Sequence, residues 1–150
     1  MSNKQKVFIS ACLTGQNVKY NGKNNKIPNI EKLRERFELI PFCPEVEGGL
    51  PTPRPPSEIV SVKPPKIVNQ KGEDVTAFFI KGARKALKIC IKEGIKKAIL
   101  KANSPSCGKN RVYDGTFSSR LIEGEGITAK IFKKNDIDIL DESDLEKICY

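Results

Sequence analysis

The sequence predicts a single-domain α/β protein over residues 1–150: a Rossmann-like three-layer fold with a mostly parallel, flavodoxin-like sheet. Two observations predict it. Short apolar runs alternate with amphipathic segments of helical period along the whole chain, the pattern of strands joined by crossover helices. A length of 150 residues is that of one domain, enough to bury roughly 68–70% of the surface an unfolded chain exposes.

Taken in order, "KVFISA" at residues 6–11 reads as a buried strand meeting a loop at Cys12. The Gly- and Asn-rich loop that follows runs to a helix opened by Pro28 at its first position. In that helix, "PNIEKLRERF", Ile30, Leu33 and Phe37 share one face. "ELIPF" reads as the second strand, with Cys43 directly after it. Residues 51–65 carry Pro51, Pro53, Pro55, Pro56, Pro64 and Pro65, which cannot donate backbone hydrogen bonds and enforce an extended excursion, a rigid lid over a site or a proline-rich ligand for another domain.

The strongest helix signal is "GEDVTAFFIKGARKALKICIKEG". Acids open it, Gly94 closes it, and Val75, Phe79, Ala83, Ala86 and Cys90 recur at helical spacing. "IKKAILKA" is the third strand and "NSPSCGKNRVYDGTFSSR" a long loop. "GITAKIFKKN" is a helix, "DIDIL" the fourth strand, and "ESDLEKI" a short terminal helix capped by Ser143. The expected strand order is 2-1-3-4, and ligands of such sheets sit beyond the carboxyl ends of the strands, where the order reverses.

Composition narrows the chemistry. Lys and Arg number 27 against 18 Asp and Glu, a formal charge of +9, which favours anionic partners or is simply a solvated basic surface. No zinc-finger spacing, recognition helix or aromatic-interleaved basic run marks a nucleic-acid footprint. The first residues lack a signal peptide's apolar run, and no window approaches a membrane span, so a cytoplasmic protein with no membrane partner is expected. With no histidine, Ser-His-Asp triads, Cys-His pairs and HExxH zinc sites are excluded. No GxxxxGK[ST] loop is present to activate an acceptor with ATP, which argues against sulfur loading.

Five cysteines, an odd count for a reducing compartment, point to buried thiols, metal ligands or a nucleophile. Cys12, Cys43 and Cys107 each follow a predicted strand, so the fold brings them to one edge of one sheet, although their spacing matches no compact metal motif. Cys90 falls on a helix's apolar stripe and reads as a core residue, and Cys149 near the chain end as incidental. Three thiolates without a fourth suit a metal centre with an open position, either an iron-sulfur cluster or a zinc held by three cysteines and water.

The stretches "SACLTGQNVKYNG", "FCPEVEGGLPTPRPP", "DVTAFFIKGA" and "ILKANSPSCGKNRVYDGTFSSRL" closely resemble the iron-sulfur-dependent thiouracil desulfidase family, over about residues 6–140. The resemblance implies a 4Fe-4S cluster held by Cys12, Cys43 and Cys107, with the fourth iron open to the thione sulfur of a substrate. Many relatives carry a cysteine where this chain has Val18, which argues that this position is not an obligatory ligand. The implied reaction is a non-redox hydrolysis giving the oxo-pyrimidine and hydrogen sulfide. Family members fused to a second domain act on 4-thiouridine in tRNA. The 150 residues leave no room for such a domain, so the expected substrate is a small thiolated pyrimidine, 4-thiouridine monophosphate or free thiouracil. The positive charge makes the monophosphate attractive; tRNA, or a structural or sensory metal in place of an enzyme, is the alternative.

By position and resemblance Glu45, two residues after Cys43, is the expected general base, with a capping or ion-pair acid as the other reading. Ser104 is expected to hydrogen-bond the pyrimidine or relay a proton, aimed by Pro105, with Ser106 as its runner-up. Arg54, Lys101 and the backbone N–H groups of "CGKN", Gly108 included, are the expected phosphate contacts.

Overall fold

The computed structural model describes residues 4–147. The chain runs β1 (Gln5–Ser10), a 3-10 turn (Ala11–Thr14), α1 (Ile30–Arg36), β2 (Phe37–Phe42), α2 (Pro44–Glu47), β3 (Ser57–Ser61), β4 (Lys66–Asn69) and α3 (Thr76–Glu93). It continues through β5 (Lys97–Leu100), β6 (Arg111–Tyr113), β7 (Leu121–Glu123), α4 (Ile127–Lys134), β8 (Asp138–Asp141) and a 3-10 segment (Glu142–Lys147). The central sheet is fully parallel in the order β2-β1-β5-β8, the order the sequence predicts. Cys149 and the end of the expected terminal helix lie outside the described residues. No helix among the described residues is long and apolar enough to cross a membrane.

Strand alternation sorts the core into two layers. Val7 and Ile9 point to one face and pack with Ile30 and Leu33 of α1. Phe8, between them, points to the other and meets Ala86 and Cys90 of α3 and Phe132 of α4. Phe8 stands edge-on to Phe132 at 5.0 Å and tilted against Phe42 at 5.6 Å, geometry that adds about 0.5–1.5 kcal/mol per pair beyond area burial. The stripe Val75, Phe79, Ala83, Ala86 and Cys90 is buried throughout, and α3 ends at Gly94 in the left-handed region (φ 68). Ahead of that helix Asp74 accepts from the Thr76 N–H at 2.9 Å.

Four expectations are corrected. The proline segment is not only an extended excursion: within it β3 begins directly after Pro56 and pairs antiparallel with β4. Likewise the loop after β5 contains β6, paired antiparallel with β7. A third hydrophobic cluster, Ile59, Ile67, Val75, Phe79 and Val112, ties both hairpins to the start of α3. Helix α1 begins at Ile30 rather than Pro28, because Asn29 takes a left-handed conformation (φ 61) and the chain turns there first. The last 3-10 segment is capped by Asp141, whose carboxylate accepts from the Ser143 N–H and hydroxyl, so Ser143 is the capped residue and not the cap.

Candidate metal centre

Cys12, Cys43 and Cys107 line one cavity of 470 Å³ beyond the carboxyl ends of β1, β2 and β5. Each is fixed by a different local device. Cys12 lies in the 3-10 turn after β1, its carbonyl accepting from Gly15 and Asn25. Cys43 precedes α2, with Pro44 at the first helical position and the Glu47 N–H returning to the Cys43 carbonyl at 2.9 Å. Cys107 is buried and accepts a hydrogen bond from the Ser10 hydroxyl at 3.3 Å.

Helix α2 is a single turn and cannot hold its position alone. It is locked onto α3 by two glycines. A Cβ on Gly82 would stand 1.8 Å from the Pro44 carbonyl oxygen, and one on Gly48 2.1 Å from the Phe78 carbonyl oxygen. Gly48 and Gly82 therefore serve backbone-to-backbone packing of α2 on α3, which positions the turn bearing Cys43 and Glu45.

Burial pushes all three thiols above the ordinary cysteine value, Cys107 to about 12. The Asn25 side chain and Lys101 partly oppose this at Cys12, the Val46 N–H at Cys43 and the Ser10 hydroxyl at Cys107, where Cys43 and Cys12 add to the rise. A free cysteine nucleophile needs the opposite shift. Soft donors that share one cavity fit a thiophilic metal group instead. Among the described residues no three Cys, Asp or Glu side chains converge as one ion would require. Cys90 sits in the core, raised to about 12 by burial alone, away from the cavity lining.

Glu45 also lines the cavity. Its Oε1 accepts from Arg54 Nε at 3.1 Å. Burial raises the Glu45 pKa, and the Arg54 charge and hydrogen bond oppose that rise. Arg54 gives Nη1 to the Pro51 carbonyl and the Thr52 hydroxyl and Nη2 to the Val18 carbonyl at 2.9 Å. Its guanidinium is thus largely engaged inside the protein, clamping the loop around Val18 to the proline segment. Lys101 lines the cavity with its ammonium 2.6 Å from Glu142 Oε2.

The remaining expected residues divide. Ser104 faces the cavity, and its oxygen accepts from the N–H groups of Ser106 and Cys107, both at 3.1 Å. Those two bonds use the oxygen as an acceptor and leave its hydroxyl hydrogen available to donate. Ser106 instead faces α4, buried and bonded to the Thr128 hydroxyl at 2.9 Å, off the cavity lining. Gly108 is off the lining too: its N–H goes to the Ser104 carbonyl at 2.8 Å, and a Cβ would stand 2.6 Å from the Arg111 carbonyl oxygen. Neither is presented to a ligand in the cavity, because both are consumed in building the loop that holds Cys107.

Sequence reasoning missed Ser10, Asn25, Lys19 and Glu58, all on the cavity lining. Ser10 had a signal, as the polar residue near the end of the first predicted strand. Glu58 had none, since its strand follows directly on a run of prolines.

A parallel α/β fold with three thiols and a buried carboxylate–guanidinium pair on one cavity at the strand ends defines an α/β protein with a cysteine-lined site. The chain belongs to the 2-thiouracil desulfurase family, whose model matches residues 7–144. It is 38% identical over 149 residues to the uncharacterized protein YbbK of Bacillus subtilis, covering 95% of this chain and 99% of that one. Among solved structures it is similar to the [4Fe-4S]-dependent thiouracil desulfidase TudS, with a TM-score of 0.90 and 42% identity over 96% of this chain and 95% of the other.

Proposed function

We propose that this protein is a desulfidase that exchanges the sulfur of a thiolated pyrimidine for oxygen by hydrolysis, with free thiouracil and 4-thiouridine monophosphate as the substrates to test. The balance is simple: the thione carbon gains the water oxygen, and sulfur leaves as hydrogen sulfide. The observation that carries the reading is the meeting of three thiols and the Glu45–Arg54 pair on one cavity, in a chain of this family.

Cys12, Cys43 and Cys107 would hold a 4Fe-4S cluster, which when bound supplies a Lewis-acidic iron suited to a thione sulfur. Everything else falls to the protein. Glu45, held by Arg54, takes a proton from the attacking water. Ser104, whose oxygen is already occupied by two N–H donors, turns its own hydrogen to the pyrimidine. Both hairpins contribute to the wall of the cavity, through Glu58 and Tyr113. Proton transfer by a positioned carboxylate contributes about 10²–10⁴-fold in rate.

The test is anaerobic purification, iron and sulfide counts, and assay of sulfide release from both substrates. Glu45→Gln is expected to keep the cluster and lose turnover by about 10²-fold or more. A fully loaded protein that releases no sulfide from either compound overturns the proposal.

A further inference from the structure

The cavity has a second polar wall, which the proposed chemistry leaves unused. Glu58 of β3 is buried and lines the cavity. Its Oε1 accepts from the N–H groups of Gly115 at 2.9 Å and Phe117 at 3.1 Å. Oε2 has no cation and no other donor from the protein among the described residues. No buried side-chain oxygen or nitrogen among them is left without a partner, so Oε2 is accessible rather than sealed in protein, on a residue that lines the cavity. An acceptor-only carboxylate oxygen held rigidly in that position needs a donor.

The loop that Glu58 pins bears a second mark. Phe117 and Ser119, both on the cavity lining, have φ of 57 and 61. A bulky aromatic in the left-handed region is an outlier, and such strain persists where surrounding contacts enforce it, as at ligand clamps. Here the two bonds to Glu58 hold the turn in that conformation, with Phe117 on the cavity lining.

We propose that Glu58 is a specificity-determining residue of this site: Oε2 accepts a hydrogen bond from a ring N–H or ribose O–H of the substrate, beside the wall formed by Phe117. The inference rests on the desulfidase reading for its substrate class. An acceptor here favours a pyrimidine in its N–H-bearing thione form, and disfavours a phosphate in the same position by like charge.

Glu58→Gln tests it, because the amide oxygen can still accept from Gly115 and Phe117 while the amide NH₂ replaces the acceptor facing the cavity. In the cluster-loaded protein this variant is expected to raise KM for 4-thiouracil or 4-thiouridine roughly ten- to hundredfold, with kcat changed less and the melting temperature unchanged. Glu58→Ala, which frees the loop, should also lower the melting temperature. N-methylated 4-thiouracils and 2′,3′-dideoxy-4-thiouridine tell the donors apart: the analogue lacking the donor should bind wild type weakly and be indifferent to the substitution. Equilibrium binding of the same compounds reads the inference apart from turnover. Equal dissociation constants for wild type and Glu58→Gln overturn it, whereas failure of wild type to release sulfide from compounds it binds overturns the desulfidase reading alone.

Discussion

Arg54 Nε donates to Glu45 Oε1 across 3.1 Å, with the two side chains only 5% and 16% exposed. The same guanidinium reaches Pro51, Thr52 and Val18, so one side chain both steers the proposed base and closes two loops over it. Arg54→Met leaves a buried carboxylate unpaired and takes the Arg54 donors from the Pro51 and Val18 carbonyls and the Thr52 hydroxyl. The expected loss is about 3–5 kcal/mol of stability, together with about 10²-fold in kcat from a misplaced Glu45. Urea unfolding and turnover per cluster check both. Arg54→Lys should not rescue, because one ammonium cannot span partners that a planar fork reaches together; full activity in that variant would refute the clamp.

The approach of α2 to α3 makes Gly82 a remote determinant of the site. Helix propensity alone would favour Gly82→Ala by about 0.8–1 kcal/mol. The new Cβ, however, would stand 1.8 Å from the Pro44 carbonyl oxygen, and overpacking of that kind costs about 1–3 kcal/mol. A net destabilisation is expected, along with reduced iron content, since Pro44 cannot shift without carrying Cys43. An alanine variant as stable as the parent and fully loaded with iron would show that α2 does not depend on this contact.

What the sequence made legible follows from which interactions are local. The short apolar run of β1 and the helical pattern of α3 are imposed by burial of Val7, Phe8, Ile9 and of the α3 stripe, and such patterns carry the strand order and with it the shared edge for Cys12, Cys43 and Cys107. The hairpins were illegible: β6 and β7 are three residues each, too short for periodicity, and β3 follows directly on Pro56. The role of Ser106 depends on a partner distant in sequence, Thr128, and those of Gly108 and Arg54 on how the chain turns back onto the Arg111 carbonyl and Glu45. Residue type alone suggested ligand contacts for all three, whereas two build the loop around Cys107 and the third is mostly occupied by the protein itself.

The net charge of +9 is not concentrated on available cations in the cavity. Lys101 is paired with Glu142 and Arg54 with Glu45. Lys19 lines the same cavity, and among the described residues no carboxylate pairs with it; its ammonium sits 5.7 Å from the centre of the Tyr20 ring. If the substrate carries a 5′-phosphate, Lys19 is the cation placed to meet it, so Lys19→Ala should raise KM for 4-thiouridine monophosphate. A contact of about 1 kcal/mol, as for a partly exposed ion pair, corresponds to about fivefold. KM for free 4-thiouracil should not move, and the difference should shrink as salt screens the ammonium. Equal effects on both compounds would mean that Lys19 shapes the loop rather than reading a phosphate. No effect on either would leave free thiolated bases as the better-fitted substrates of this cavity.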